Sequence, residues 1–532
     1  VCKMKSAFKS GFGLLKDNPS DIEYIRGCYR LYKGDDIPLG DDICRDVDVD
    51  GLFGYANRCL TPVGELMLYD RFRRMKRSRR LTEDESDISL MMQDEGFRSK
   101  VEAALGAVND KKGVSVSSLL NMSVGVGTWH KFSWLIPLLE CAALVLIIAF
   151  LPPAAAIYFS IAALILNASL HYINKSYVEI YIRPLIQLSK IRQAAVRLSE
   201  IDSHNELKDV RNSVRNLTKL SGKLRIFSLN GILESDLMSI FYVLVELVKI
   251  VCCVEPVTTY FILRKMEDVS RDSRTLFEYV GGWDALYSIA SFRSWMDSCG
   301  FAWSSPTFVP QQKILKAEDI YHPLIKDCVP NSIQIGKSVI ITGSNMSGKS
   351  SFLRMLAVNI VSSYAMNMSF SAGLSLSECR LHSVLTVSDS LDEGKSYYMS
   401  EVMRIKSIID RCADSKDSYT NFVFIDEIFK GTNTVERISI ADAVIRYLSS
   451  LENTVAVVST HDIELAQEFE DSLDTYHFSE TVDSEQIRFS YTLLPGVVYT
   501  RNAISLLRLC GYPDSILQKA EENATGFSMI RK

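Results

Sequence analysis

The residues most able to do chemistry in this chain are Gly343-Ser344-Asn345-Met346-Ser347-Gly348-Lys349-Ser350. Their spacing is G-x-x-x-x-G-K-[ST], a loop that cradles phosphates. Gly343 and Gly348 let the backbone fold tightly enough for successive N–H groups to face phosphate oxygens. A helix starting at Ser350 turns its positive dipole end to the same anion, with Ser351 beside it. Lys349 can reach the β- and γ-phosphates, and the Ser350 hydroxyl can hold Mg²⁺, so ATP and Mg²⁺ are the expected cofactors.

Flanking elements must hold that loop open. Ser338-Val339-Ile340-Ile341 reads as a buried strand before it, and Ser351–Ala365 as a helix after it. Asn421-Phe422-Val423-Phe424-Ile425-Asp426-Glu427 reads as a second buried strand ending in two carboxylates. Asp426 would complete the Mg²⁺ shell, and Glu427 would polarise the attacking water. Thr454–His461 reads as a third strand, which could bring His461 to the γ-phosphate. The expected fold class is an α/β P-loop ATPase domain C-terminal to an all-α region.

These elements together resemble the MutS family of DNA mismatch-repair ATPases. Asn345-Met346 match the family's own P-loop, and Ser344 stands where the family carries proline. Asp426-Glu427-Ile428-Phe429-Lys430-Gly431-Thr432-Asn433-Thr434 is similar to its Asp-Glu-Ile-x-x-Gly-Thr-x-Thr run. Ser459-Thr460-His461-Asp462-Ile463-Glu464-Leu465 resembles its Thr-His-x-x-Glu-Leu segment. Ser396-Tyr397-Tyr398-Met399-Ser400-Glu401 resembles its signature loop, and Tyr321-His322-Pro323-Leu324 its opening His-Pro pair. Tyr491–Gly496 and Gly511-Tyr512-Pro513 are similar to its closing strand and last helix. Outside the ATPase, Leu60–Tyr69 resembles the start of its helical core domain and Val280–Leu286 the end of its lever helices.

The resemblance implies a homodimer with composite ATP sites. Ser396 and Met399 of one chain would complete the nucleotide site of the other, Glu427 would orient water with Lys349 neutralising charge, and His461 would sense the γ-phosphate. It implies DNA as a partner and a role in mismatch repair. No mismatch-reading domain and no Phe-x-Glu wedge precede the core-like segment, which speaks against mismatch recognition, while the long apolar block between the two core-like segments suggests a membrane-associated branch of the family.

The chain of 532 residues is long enough for two to four domains. We read a helical core-like region at 1–128, an apolar hairpin at 129–175, a helical lever at 176–315 and the ATPase at 316–532. The net charge of −5 speaks against a chain coated in basic residues for nucleic acid. The 12 cysteines show no zinc-like spacing and fit reduced thiols.

Trp134–Leu151 carries a single charge, Glu140, and Pro152-Pro153 breaks it before a second apolar run, Ala154–Ile173. Each run is long enough to cross a hydrocarbon core of about 30 Å. Residues 134–173 are therefore expected to form a transmembrane hairpin. Lys131, Lys175 and Arg183 outside it would make that side cytoplasmic, leaving the ATPase in the cytoplasm on the inner membrane. The same run also reads as a hairpin buried in a soluble core. Arg71–Arg80 places seven cations in ten residues, suited to DNA or lipid phosphates, or to neutralisation by the nearby Glu83-Asp84-Glu85. Thr82 and Glu85 fit a capping box opening a helix.

Two other functions are compatible with an ATPase and apolar runs in one chain. A transport component is disfavoured, because the Leu-Ser-Gly-Gly-Gln signature is absent. A membrane-tethered nucleotide switch or scaffold is the alternative to a DNA-stimulated ATPase.

Overall fold

The computed structural model describes residues 11–14, 21–32, 38–75, 81–108, 132, 135–202, 207–224, 247–251, 266–310, 312–344, 346–385, 397–415, 418–482, 487–497, 507–508 and 511–530. Asn345, Ser396, Trp134 and the Lys76–Arg80 end of the basic run lie outside them.

The N-terminal part is helical: α1 (Ile22–Leu31), α2 (Asp41–Val47), α3 (Val49–Ala56), α4 (Pro62–Phe72), α5 (Leu81–Gln93) and α6 (Glu95–Leu105). The start of α4 shows how its sequence sets local structure. The Thr61 hydroxyl accepts from Gly64 N, and Pro62 occupies the first turn, where no N–H is needed. The cap is fixed from outside by Asp284, which accepts from Leu60 N at 2.9 Å, Thr61 N at 2.8 Å and the Thr61 hydroxyl at 2.6 Å. Glycine is required at the crossing: a Cβ on Gly64 would lie 2.1 Å from Asp284 Oδ2, and one on Gly281 2.4 Å from Met67 Cγ.

Two apolar helices follow, α7 (Ile136–Phe150) and α8 (Pro153–Ile201), then α9 (Lys208–Leu224) and α10 (Met266–Cys299). Pro152-Pro153 separates α7 from α8, and Asn167 Nδ2 donates to Glu140 Oε2 across them at 2.9 Å, so the two pack side by side. Among the described residues one stretch, Pro153–Tyr172, is long and apolar enough to cross a membrane, with mean hydropathy 1.7; α7 has 15 residues. The expectation of two full-length spans is thus met by one helix. That helix also runs on to Ile201 without a break at the end of its apolar part. Both helices leave apolar side chains outward, with Phe150 81% and Tyr158 74% exposed.

The C-terminal part is α/β. A six-stranded sheet has the order β10-β9-β4-β8-β7-β6, built from β4 (Val339–Thr342), β6 (Cys379–Val384), β7 (Thr420–Asp426), β8 (Thr454–Thr460), β9 (Asp474–Val482) and β10 (Ile487–Pro495). All pairings are parallel except β10 on β9. The near-continuous apolar runs of β4, β7 and β8 are what a parallel sheet covered on both faces demands. A smaller sheet has the order β1-β5-β2-β3, from β1 (Thr307–Val309), β2 (Leu315–Ile320), β3 (Asn331–Ile335) and β5 (Gly373–Ser377). Helices α11 (Lys349–Met366), α12 (Tyr397–Ala413), α13 (Thr434–Ser450), α14 (Ile463–Glu468) and α15 (Asp514–Ile530) complete the domain.

The helical region is fastened to the far end of the P-loop helix. Arg293 on α10 is 1% exposed, and its guanidinium donates to both carboxylate oxygens of Glu85 at 2.6 and 3.0 Å. It also donates to the carbonyls of Met366 and Asn367, each at 2.9 Å, where α11 ends. A cation on those carbonyls satisfies orphan acceptors at the negative end of the helix dipole. The Glu85 carboxylate also accepts from Asn367 Nδ2 at 2.7 Å; α5 begins at Leu81, close to the start expected from Thr82 and Glu85, and the Thr82 side chain lies outside the described residues. The described part of the basic run is neutralised within the fold. Arg71 pairs with Asp84, Arg74 with Asp70 at 2.6 Å and Arg73 with Asp41 at 2.6 Å.

Arg293→Ala would leave two helix-end carbonyls without this donor and Glu85 with only Asn367 Nδ2, a loss of about 3–5 kcal/mol for a broken buried pair. We expect a lower thermal unfolding midpoint with the P-loop sequence untouched; an unchanged midpoint would show that the clamp carries no stability.

Candidate active site

Strand register brings the chemistry together. Thr342 of β4 pairs with Thr460 of β8, and Ser459 of β8 with Asp426 of β7. The phosphate loop, the carboxylate pair and His461 thus meet at the carboxyl ends of adjacent parallel strands, where such sheets bind ligands.

The loop follows the expected path. Gly343 has φ +151° and Gly348 φ +108°, and a Cβ at Gly343 would meet Ser347 Oγ at 2.7 Å and Phe478 O at 3.0 Å. Lys349 is the first residue of α11, one earlier than the sequence suggests, and is 3% exposed. Its ammonium donates to the loop's own carbonyls, Gly343 O at 2.8 Å and Ser344 O at 2.7 Å. Burial pushes its pKa down, and the carboxylates of Glu427 and Asp426 oppose that. Ser347 Oγ is buried in the same loop with no hydrogen-bond partner among the described residues. Met346 points outward, 79% exposed. A glycine-lined cradle, a buried ammonium and an unsatisfied hydroxyl are the donor set that a phosphate chain satisfies.

Ser350 and Asp426, expected to share a metal, are in contact: the Ser350 hydroxyl donates to Asp426 Oδ2 at 2.6 Å. Ser459 donates to the other oxygen, Oδ1, and so holds the carboxylate in place. A hydroxyl and a carboxylate at the first turn of a P-loop helix are the protein ligands that Mg²⁺ takes beside phosphates. Held there, Mg²⁺ would supply charge neutralisation for the phosphates.

Glu427 sits one residue beyond, at φ +53°, with Phe429 at φ +58°. Two left-handed non-glycine residues in one turn mark backbone held by its surroundings. The Glu427 carboxylate lies 3.4 Å from His461 Nδ1 and 3.0 Å from Lys430 Nζ. His461, then Lys430, holds its pKa down to about 2 against the opposing effect of burial. The same contact raises the pKa of His461. Glu427 is thus a carboxylate at any physiological pH, as a water-orienting group must be.

Three supports had no role assigned from the sequence. Arg437 on α13 forms a two-point pair with Asp462, at 2.6 and 3.0 Å, bracing the turn after His461. Glu401 accepts from Phe429 N at 2.5 Å and so ties α12 to the Glu427 turn. Asn331 holds the backbone on both sides of Thr492, donating to Tyr491 O at 3.0 Å and accepting from Leu493 N at 2.7 Å. That placement puts the Tyr491 ring 3.1 Å from a Cβ built on Gly348. Tyr491, Phe352, Phe478 and Ser351 line a cavity of about 310 Å³ next to the loop, an apolar space suited to a flat ring attached to the phosphates. Met399, on the first turn of α12, is 48% exposed.

Residues 339–528 match the family model described as MutS domain V. The chain is 28% identical over 229 residues to the DNA mismatch repair protein MutS of Desulforapulum autotrophicum, covering 40% of this chain and 25% of that protein. It is 27% identical over 258 residues to the protein of the same name from Persephonella marina, covering 46% and 28%. To that of Methanothrix thermoacetophila it is 31% identical over 201 residues, covering 36% and 22%. The matched stretch thus spans about a quarter of these relatives.

Proposed function

The chain belongs to the MutS family through its domain V, and from that premise we propose that it binds and hydrolyses ATP as a dimer, with DNA as its partner in a repair-related role. The observation that carries this reading is the Ser350–Asp426 contact beside a Glu427 kept ionised, within reach of one phosphate loop. Lys349 would move from the loop carbonyls to the β- and γ-phosphates. Glu427 would orient water, and His461 would hold Glu427 and sense the γ-phosphate. Ser396 and the outward Met399 would serve the partner's nucleotide. Closure of the dimer would then pull on α11, whose far end is clamped to α10 by Arg293, so the long helices would carry the motion.

The test is the ATPase rate of the detergent-purified chain with no DNA, with homoduplex and with mismatched duplex, at two salt concentrations. We expect stimulation that weakens as salt rises, because phosphate contacts release counterions. A rate indifferent to both duplexes removes DNA from the proposal and leaves the nucleotide-driven switch or scaffold.

We also propose that α7 and the Pro153–Tyr172 part of α8 anchor the chain, leaving the ATPase on the cytoplasmic side of the inner membrane. Outward apolar side chains on two adjacent helices favour this, as does the Asn167–Glu140 hydrogen bond, which pairs their polar groups inside the hairpin. The intact protein should sediment with membranes and need detergent for release. Recovery in the soluble fraction without detergent would make the hairpin a packing surface.

A further inference from the structure

A second concave site lies in the helical region. Between α1, α2 and α4 is a cavity of about 800 Å³, and its described lining residues all come from the helical region. Five guanidiniums line it: Arg26, Arg30, Arg45, Arg73 and Arg74. Among the described lining residues three carboxylates face them, and each is already engaged; beside the cavity, Asp42 pairs with Arg45 at 3.7 Å and Asp70 with Arg74 at 2.6 Å. Asp41 pairs with Arg73 at 2.6 Å. Asp48 accepts from Gly51 N at 3.1 Å. Asp50 accepts from the Tyr69 hydroxyl at 2.9 Å and pairs with Arg26. A guanidinium has five N–H donors and a carboxylate contact uses one or two, so an arginine that is already paired can also meet a further anion. Tyr29, Tyr32 and Tyr69 add aromatic walls, with Arg73 5.3 Å from the centre of the Tyr29 ring. The volume falls in the range of about 300–1,000 Å³ typical of small-molecule sites. Arginines for phosphates beside rings for stacking are the recognition chemistry of a nucleotide.

Helix α2 has two working faces. Asp41, Cys44 and Arg45, with Asp48 just beyond the helix, line the cavity at the i, i+3, i+4 and i+7 spacing of one face. Ile43, Asp46 and Val47 are buried on the other. Asp46 is 1% exposed and accepts from Ser383 Oγ at 2.7 Å, Leu385 N at 3.1 Å and Arg404 Nη2 at 2.5 Å. Ser383 lies on β6, and Arg404 on α12, the helix whose Glu401 holds Phe429 beside Glu427. A shift of α2 toward or away from the cavity would therefore be felt at the hydrolytic turn.

We propose that this cavity binds a phosphorylated small molecule of the nucleotide class, and that its occupancy biases the ATPase through α2 and Asp46. The coupling half rests on the proposed hydrolysis; the binding half does not.

Binding is tested by calorimetry on the full chain carrying Lys349→Ala, which disables the P-loop, with ATP and inorganic tripolyphosphate as probes. Binding should persist in that variant. Adding Arg30→Glu and Arg45→Glu, both at exposed positions, should weaken it at least about tenfold at fixed salt. Absence of binding by both probes at millimolar concentration overturns the site, as does binding that the two charge reversals leave unchanged. A duplex oligonucleotide that binds at these arginines where both small probes fail also overturns it, in favour of a DNA contact. For coupling, saturating tripolyphosphate should change the hydrolysis rate of the otherwise unaltered chain. Part of that change should vanish in Arg30→Glu/Arg45→Glu and in Asp46→Asn. If all three proteins respond equally, the coupling is overturned while the binding result stands. If no variant hydrolyses ATP, the proposed ATPase fails and the binding result remains readable.

Discussion

Glu427→Gln retains ATP binding and hydrolyses it about 10²–10⁴-fold more slowly, the usual loss when a positioned acid–base group is removed. The substitution keeps size and shape, so the φ +53° turn and the Glu401–Phe429 tether should persist. What disappears is the negative charge that would orient water. Single-turnover hydrolysis with the bound nucleotide quantified separately is the measurement, and an unchanged hydrolysis rate would reject the assigned role. The variant carries an independent signature in His461, whose raised pKa comes first from its contact with Glu427. In the glutamine variant the His461 titration followed by NMR should move down toward 6.5, the ordinary value. The pH window of the pair follows from the two shifts. Glu427 is depressed, so its contribution is present above 4.5 and is lost as pH falls toward about 2. His461 is raised, so its contribution is full below 6.5 and is lost as pH rises through its folded value. The contact is therefore strongest in mildly acidic solution and weakens on the alkaline side through the histidine.

Lys349→Ala weakens nucleotide binding about 10²–10⁴-fold, the equivalent of two charge-assisted hydrogen bonds at about 1.5–3 kcal/mol each. The buried ammonium now donates to the carbonyls of Gly343 and Ser344, so its removal also frees the loop from its own internal tie. Titration with a fluorescent ATP analogue at low micromolar concentration, where the second site would be weakly filled, reads the effect. Equal affinity in the variant and the parent would show that Lys349 serves the loop and not the phosphates. A thermal midpoint close to the parent's separates lost binding from lost fold.

The contrast between Lys349 and Arg293 explains what could be read beforehand. The P-loop, the Asp426-Glu427 strand end and His461 are each set by neighbours in the chain. Glycine spacing dictates a tight loop, an apolar run dictates a buried strand, and the carboxylates follow it directly. Met399 and Glu401 were visible only through resemblance, and the structure assigns Glu401 a defined bond while leaving Met399 outward. The helical hairpin was legible as two apolar runs on either side of Pro152-Pro153, but the length of α8 was not. Charged residues from Lys175 onward and Pro184 end the apolar run in the sequence, yet the helix continues through them to Ile201. The role of Glu85 was not legible, because Thr82-x-x-Glu85 is a local pattern and its carboxylate meets a buried guanidinium 208 residues away.

The phosphate loop, the helix after it and the apolar strand that ends in Asp426-Glu427 were legible from the residues alone, because each depends on backbone geometry within a few residues. Only the tertiary structure decided which cation holds α11 to α10, which carboxylate joins α2 to β6 and α12, that Tyr491 lies against Gly348, and that five arginines surround one cavity. Those relations join residues far apart in the chain. One arginine among the 59 lysines and arginines carries no local mark of its partner. The partner is chosen when apolar burial brings the helices together, and the polar groups trapped at their crossings must then find one another.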